Sequence, residues 1–331
     1  MPYHAVHSRR RRRASGVLAA LILLVCAGVA AAILLQRDPQ PRAAGAPTPQ
    51  APLTDTGTAP LAGGGTAPSP LAVRLEDPRD AVKLRFKQPP RSALLFDLDT
   101  GRVLWRRDPT RVLPIASLTK MMTALVVVDR VPEGAKVLVT KQALAYQGSG
   151  VGLLPKGKRI GVNTMLHGLL LPSGNDAAIA LAQRAAKTVP RFVQLMNEKA
   201  KALGLVCTRF STPSGFLDKG NHSCASDLAA VARAVLREPR LARIVRRRQA
   251  KLPFPIKGGK LWLYNNNPLL RQGYPGTTGL KTGYTAAAGR CLVATARRGP
   301  IKLGVVLLHS PDPGKQAMQL LDRGFRAERV S

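Results

Sequence analysis

Ser117 and Lys120, three residues apart in IASLTKMMTALVV (115–127), place an alcohol and an amine at the mouth of an apolar run. On a helix, positions i and i+3 share a face, so the two side chains become neighbours. A serine hydroxyl is a weak nucleophile unless a base takes its proton as it attacks. An amine can be that base only when uncharged, and moving a lysine from ~10.4 to ~7 takes about 4–5 kcal/mol of environmental bias. Desolvation against an apolar helix acts in that direction, and so does a second cation such as Lys281. Taken alone, the pair also reads as a helix-capping serine and a lysine whose amine reaches back to water.

Two further triplets carry polar groups of the same kind: Ser173-Gly174-Asn175 in PSGNDAA and Lys281-Thr282-Gly283 in GLKTGYT. Singly, the first reads as a capping turn and the second as an exposed strand end. By chance, S-x-x-K is expected about 0.7 times in such a composition, S-x-N about 0.3 times and K-T-G about 0.09 times. Each motif occurs once, and the set is read as one constellation. The five histidines, His4, His7, His167, His222 and His309, show no metal-ligand spacing, and neither metal nor cofactor is expected.

The elements that must position these residues follow from periodicity. RSALLFDLDTGRVLWRRD reads as two strands with a turn at Asp99-Thr100-Gly101. A helix opened by Ser117 runs to about Arg130. Further helices are expected over 164–170, 176–187, 191–203 (ending at Gly204) and 226–236. GRCLVATARRGPIKLGVVLLHS gives two more strands, and a helix over about 313–325 closes the body. The fold class is therefore α+β. One antiparallel sheet is built from N- and C-terminal strands and flanked by helices, with an inserted all-helical region.

Outside this body, residues 1–14 hold the block RRRRR, and residues 15–36 form an apolar segment uncharged from Val17 to Leu35. Its length fits a single membrane span, with the basic block keeping the N-terminus cytoplasmic. An uncleaved anchor suits that length better than a cleavable signal peptide, whose exit would lie near Ala30–Ala32. Residues 37–75, rich in Pro, Gly and Ala, read as a linker reaching at most about 120 Å. The folded domain spans 76–331. Residues 1–75 carry 8 Lys and Arg against 2 acids, so +27 of the net charge of +33 belongs to this domain. Such a body attracts polyanions, and a membrane segment makes anionic wall polymer a better partner than nucleic acid. The body also lacks the interleaved aromatic platform of single-strand binders. Cys207 and Cys224 bracket CTRFSTPSGFLDKGNHSC and are candidates for a disulfide outside the cytoplasm.

Motifs S-x-x-K, S-D-N and K-T-G together mark penicillin-binding proteins and class A β-lactamases, and this chain carries Ser173-Gly174-Asn175 in the second place. Longer stretches extend the likeness: LPIASLTKMMTALV, QGSGVGLLPKG, LLLPSGNDAAIALA and NNNPLLRQGYPGTTGLKTGYTAAAGRCLVATARR. Over this span the chain resembles the D-alanyl-D-alanine carboxypeptidases, the low-molecular-mass serine penicillin-binding proteins. Two departures stand out: the cysteine pair, and the lack of an added C-terminal domain or terminal membrane helix in this reading.

The resemblance implies a β-lactamase/penicillin-binding transpeptidase-like fold with Ser117 as nucleophile and Lys120 as its base. Ser173 would relay protons to the leaving amine, and Asn175 would hold Lys120 and the substrate backbone. Lys281 and Thr282, on an edge strand, would bind the substrate's terminal carboxylate, while Gly283 lets its backbone approach. The backbone N–H groups of Ser117 and Tyr284 would form the oxyanion hole. The implied reaction removes the terminal D-alanine from peptidoglycan stem peptides through an acyl-enzyme that β-lactams also form. The implied place is the outer side of a bacterial cell membrane, with a cleaved, secreted form as the alternative. DD-endopeptidase or transpeptidase action uses the same motifs. Class A β-lactamases add a deacylating glutamate, and this chain has no Glu between Glu198 and Glu238. A non-enzymatic, membrane-tethered wall-binding module is the remaining alternative.

Overall fold

The computed structural model describes residues 69–77, 80–216 and 220–330. The expected basic segment, anchor and most of the linker lie outside these residues. Among the described residues no helix is long and apolar enough to cross a membrane.

Five strands make one antiparallel sheet: Ser92–Asp97 (β1), Val103–Arg107 (β2), Thr277–Thr285 (β3), Gly289–Arg298 (β4) and Ile301–Ser310 (β5). Their spatial order is β2-β1-β5-β4-β3, so terminal strands meet at the centre and β3 forms an edge. Strands β1 and β5 read as continuous apolar runs because both sheet faces are covered. On one face Leu94, Phe96, Val293, Val306 and Leu308 join the core shared with the central helices. On the other, Ala93, Leu95, Val305 and Leu307 pack against Ala317, Leu320, Leu321 and Phe325. Those four follow helical spacing along the C-terminal helix, which runs to Val330, beyond the 325 expected from sequence. The β1–β2 turn is tied by Asp97 Oδ1, which accepts from the N–H groups of Asp99 (3.0 Å) and Thr100 (2.7 Å). Gly101 completes it at φ +77°, where a Cβ would strike Ala72 O and the Arg233 guanidinium.

The inserted region contains Lys120–Arg130 (α1), Val162–Leu170 (α2), Asn175–Ala186 (α3), Val189–Ala202 (α4), Ala225–Arg237 (α5) and Pro239–Val245 (α6). Helix α1 is buried on every side from Lys120 to Val127, as befits a helix hydrophobic all round. It does not begin at Ser117. A 3-10 turn, Ala116–Thr119, comes first, and no side-chain cap closes either start. Side chains three apart eclipse on such a turn, so the change tightens the Ser117–Lys120 approach. The sequence reading missed α6 and a hairpin, Gln249–Pro253 with Lys260–Tyr264, because one is a bare seven residues and the other holds two prolines and a Gly-Gly turn.

The packed body reaches back to Leu71 and Val73, inside the stretch that composition assigns to the linker. Arg233 holds it there. Its guanidinium donates to Leu71 O and Ala72 O (2.8 Å each), Leu98 O (2.9 Å) and Asp99 O (2.8 Å).

Candidate active site

The 3-10 turn brings Ser117 Oγ within 2.8 Å of Lys120 Nζ. Lys120 is fully buried, and its amine also donates to Asn175 Oδ1 (2.7 Å) and Ser214 O (2.8 Å). Two of these partners are carbonyl oxygens that only accept, whereas a hydroxyl both donates and accepts. An uncharged amine therefore spends its two N–H groups on Asn175 and Ser214, leaving its lone pair facing the Ser117 hydroxyl. The surroundings favour that form. Burial, and next the charge of Lys281, hold Lys120 well below the ordinary lysine value, with Asp176 acting weakly the other way.

Lys281 is 1% exposed, and burial pushes it down to about 7. Its Nζ donates to Thr282 O at 2.8 Å. Strand β3 pairs Lys281 with Val293 and Gly283 with Cys291 on β4, leaving its other edge toward the 3-10 turn. Contact there is close: a Cβ on Gly283 would lie 3.0 Å from Ile115 O and 3.1 Å from Ser117 N. Thr282 is half-buried, and the Tyr284 side chain points into solvent.

The opposite wall is the entrance to α3. Asn175 is its first residue; Nδ2 donates to Gln147 O at 2.5 Å while Oδ1 receives the lysine. Ser173 precedes it at φ +73°, a conformation that costs a non-glycine residue about 1–3 kcal/mol. Its Oγ is buried without a hydrogen-bond partner among the described residues. The turn is held by Gly174 N–H to Gly168 O (2.9 Å), Asn175 N–H to Ser149 O (2.7 Å) and Asn266 Nδ2 to Pro172 O (3.1 Å).

Sequence reasoning missed two contributors. Ser214 acts through its carbonyl, which carries no side-chain signature. Asp176, raised above the usual carboxylate range by burial, accepts from Val151 N (2.9 Å) and Ala177 N (2.7 Å). It thereby ties the Gly-rich loop to the α3 entrance; its place beside the Ser-Gly-Asn triplet was the available signal.

The loop bearing Ser214 is closed by a Cys207–Cys224 disulfide with Cα atoms 5.6 Å apart. Thr123 Oγ1 donates to Pro213 O at 2.6 Å and fastens the loop to α1. Gly215, at φ +72°, packs against Ala116 O so closely that no Cβ fits. Among the described residues one group of metal-ligand types gathers, Cys207, Cys224 and Asp227, but its sulfurs are joined to each other and offer no thiolate.

The α+β architecture is that of the DD-peptidases. It matches the Streptomyces K15 DD-transpeptidase with a TM-score of 0.69 at 29% identity, covering 74% of this chain and 100% of that one. It matches a D-alanyl-D-alanine carboxypeptidase from Mycobacterium tuberculosis H37Rv with a TM-score of 0.69 at 34% identity, covering 74% and 94%. Residues 84–312 fit the model of the D-alanyl-D-alanine carboxypeptidase family, peptidase S11, and the chain belongs to that family. Bacillus subtilis D-alanyl-D-alanine carboxypeptidase DacF is 35% identical over 243 residues, 71% of this chain and 62% of the relative. The chain thus spans about three fifths of that relative's length. A Pseudomonas aeruginosa D-alanyl-D-alanine endopeptidase is 37% identical over 218 residues, 65% of this chain and 70% of the relative.

Proposed function

We propose that the protein is a serine D-alanyl-D-alanine carboxypeptidase acting on peptidoglycan stem peptides. The observation that carries this reading is the buried Lys120 amine, 2.8 Å from Ser117 Oγ, with carbonyl acceptors at 2.7 and 2.8 Å taking its other contacts. Lys120 takes the Ser117 proton as Oγ attacks the carbonyl between the two terminal D-alanines. The tetrahedral oxyanion is met by the backbone N–H groups of Ser117 and Tyr284, and Lys281 and Thr282 receive the terminal carboxylate. The leaving amine takes its proton through Ser173, whose buried hydroxyl, without a partner among the described residues, is suited to a group that arrives with substrate. D-alanine departs, and water then cleaves the ester on Ser117 and restores the hydroxyl. A β-lactam acylates the same oxygen, with ring opening in place of a leaving group. The catalytic body would work outside a bacterial membrane, tethered by residues 15–36.

Fluorescent penicillin should label the protein, Ser117→Ala should remain unlabelled, and D-alanine should be released from a stem-pentapeptide mimic. Unimpaired labelling of Ser117→Ala defeats the reading. The likeness to an endopeptidase favours a second reading, cleavage of D-alanyl cross-links. Release of monomers from a cross-linked muropeptide dimer, without D-alanine from the pentapeptide, would select it.

A further inference from the structure

A concavity of about 530 Å³ lies where α5 and α6 meet the end of the sheet away from the Lys281–Tyr284 segment. Its apolar lining is Leu98, Leu236, Pro239 and Ala242. Around these stand Arg233, Arg237, Arg243, Arg246, Arg297 and Lys302, with Asp99 as the one acid. Arg233 is committed to backbone carbonyls, and Lys302 pairs with Asp99 at 3.1 Å. The side chains of Arg237, Arg243 and Arg246 are exposed and make no hydrogen bond or ion pair among the described residues. Arg297 is held by the main-chain carbonyl of Gly299 at 2.8 Å. Like charges have thus been gathered round a cavity whose one acid, Asp99, is already paired with Lys302.

We propose that this cleft binds a phosphodiester-linked anionic polymer. Guanidinium forks match the paired oxygens of phosphate, and three of them are unengaged. Six cations against one acid leave five net positive charges. A single phosphate group supplies only about 1.5–2 negative charges, so one small anion leaves the cleft unbalanced. A chain with one charge per repeat neutralises it progressively, and the apolar lining receives the carbon skeleton between phosphates. A concave site suits an extended strand better than the flat plane of a bilayer. Thr278, at the cleft, lies on β3 three residues before Lys281, about 10 Å along the strand. A bound polymer would therefore lie beside, but outside, the Ser117 cleft. The site gives a structural use to part of the +27 charge, and it stands whether or not the acyl-transfer reading does.

The test uses the full chain in neutral detergent micelles and a synthetic glycerol-phosphate oligomer, with affinity measured by calorimetry at several salt concentrations. Arg237→Glu, Arg243→Glu and Arg246→Glu combined should weaken binding about a hundredfold and flatten its salt dependence. A control with the same charge change elsewhere, Lys141→Glu, Lys201→Glu and Lys260→Glu, should weaken it only about threefold. Both variants should keep the wild-type melting temperature. Equal losses in the two variants would show diffuse attraction and overturn the site. Oligomer binding no tighter, per phosphate, than monomeric glycerol phosphate would overturn a polymeric ligand. Equal affinity for poly-glutamate would overturn phosphate recognition. Selective loss of binding to phosphatidylglycerol in the micelles, with oligomer binding intact, would overturn the polymer in favour of a lipid headgroup.

Discussion

Replacing Lys281 by methionine keeps most of the side chain's volume and removes an amine that burial has pushed down to about 7. In the unfolded chain that amine holds its proton to about 10.4, so the displacement amounts to about 4–5 kcal/mol. Between those values the unfolded state binds more protons than the folded one, and stability rises with pH across the window. Below about 7 both states are protonated and the whole penalty applies. Methionine escapes it but leaves Thr282 O without its donor, a loss of about 1–2 kcal/mol. The variant should therefore be more stable than wild type by about 3 kcal/mol at pH 6, and the advantage should vanish or reverse near pH 10. Urea denaturation at the two pH values, followed by the fluorescence of buried Trp105, measures the difference. A difference that does not change with pH would mean that Lys281 titrates alike in both states, and the account of a dry amine beside Lys120 would be wrong.

Lys120→Ala should slow penicillin acylation by about 10²–10⁴-fold while the protein stays folded, measured by stopped-flow labelling. The wild-type acylation rate should fall on the acid side as Lys120 gains its proton. Because burial and Lys281 lower its pKa, that limb should lie well below the ordinary lysine value; a limb near pH 10 contradicts the assignment. Cys207→Ser with Cys224→Ser should lower stability by about 3 kcal/mol in calorimetry and also slow acylation, since the freed loop carries Ser214 O. Ser173→Gly should raise stability by about 1–2 kcal/mol, because glycine accepts φ +73° and removes a buried orphan hydroxyl, while turnover of the stem peptide drops.

Four strands of the sheet were legible, the central pair most clearly because both are doubly buried: SALLFD and KLGVVLLH cannot be mistaken for amphipathic helices. Strand β3, half-exposed at the edge, was placed by resemblance alone. Helices α3 and α5 showed equally well through their alanine-rich spacing. The Ser117–Lys120 contact was legible from i, i+3 spacing, although a 3-10 turn produces it rather than the first turn of the α-helix. Ser214 was hidden for a physical reason: any residue supplies a carbonyl, and only the path of the 207–216 loop brings that one to Lys120. The Arg cleft was hidden differently. Leu98 and Lys302 are more than 200 residues apart, so the sequence showed an excess of charge but not where it would gather.

Several unfavourable features share one small region: two buried amines, and a serine in a left-handed conformation whose buried hydroxyl has no partner among the described residues. None of them helps the chain fold, and each would relax if its support moved. The supports belong to separate elements. Lys120 is held between the α3 entrance and the disulfide-closed loop, Lys281 lies on a strand paired along its length, and Ser173 sits in a turn fixed from three sides. A site assembled this way loses activity when any one support loosens, even if every reactive side chain remains. The effect of opening the disulfide on acylation is therefore a sharper test of the arrangement than loss of the serine itself, because deleting the nucleophile tests which oxygen reacts and not how its supports hold it.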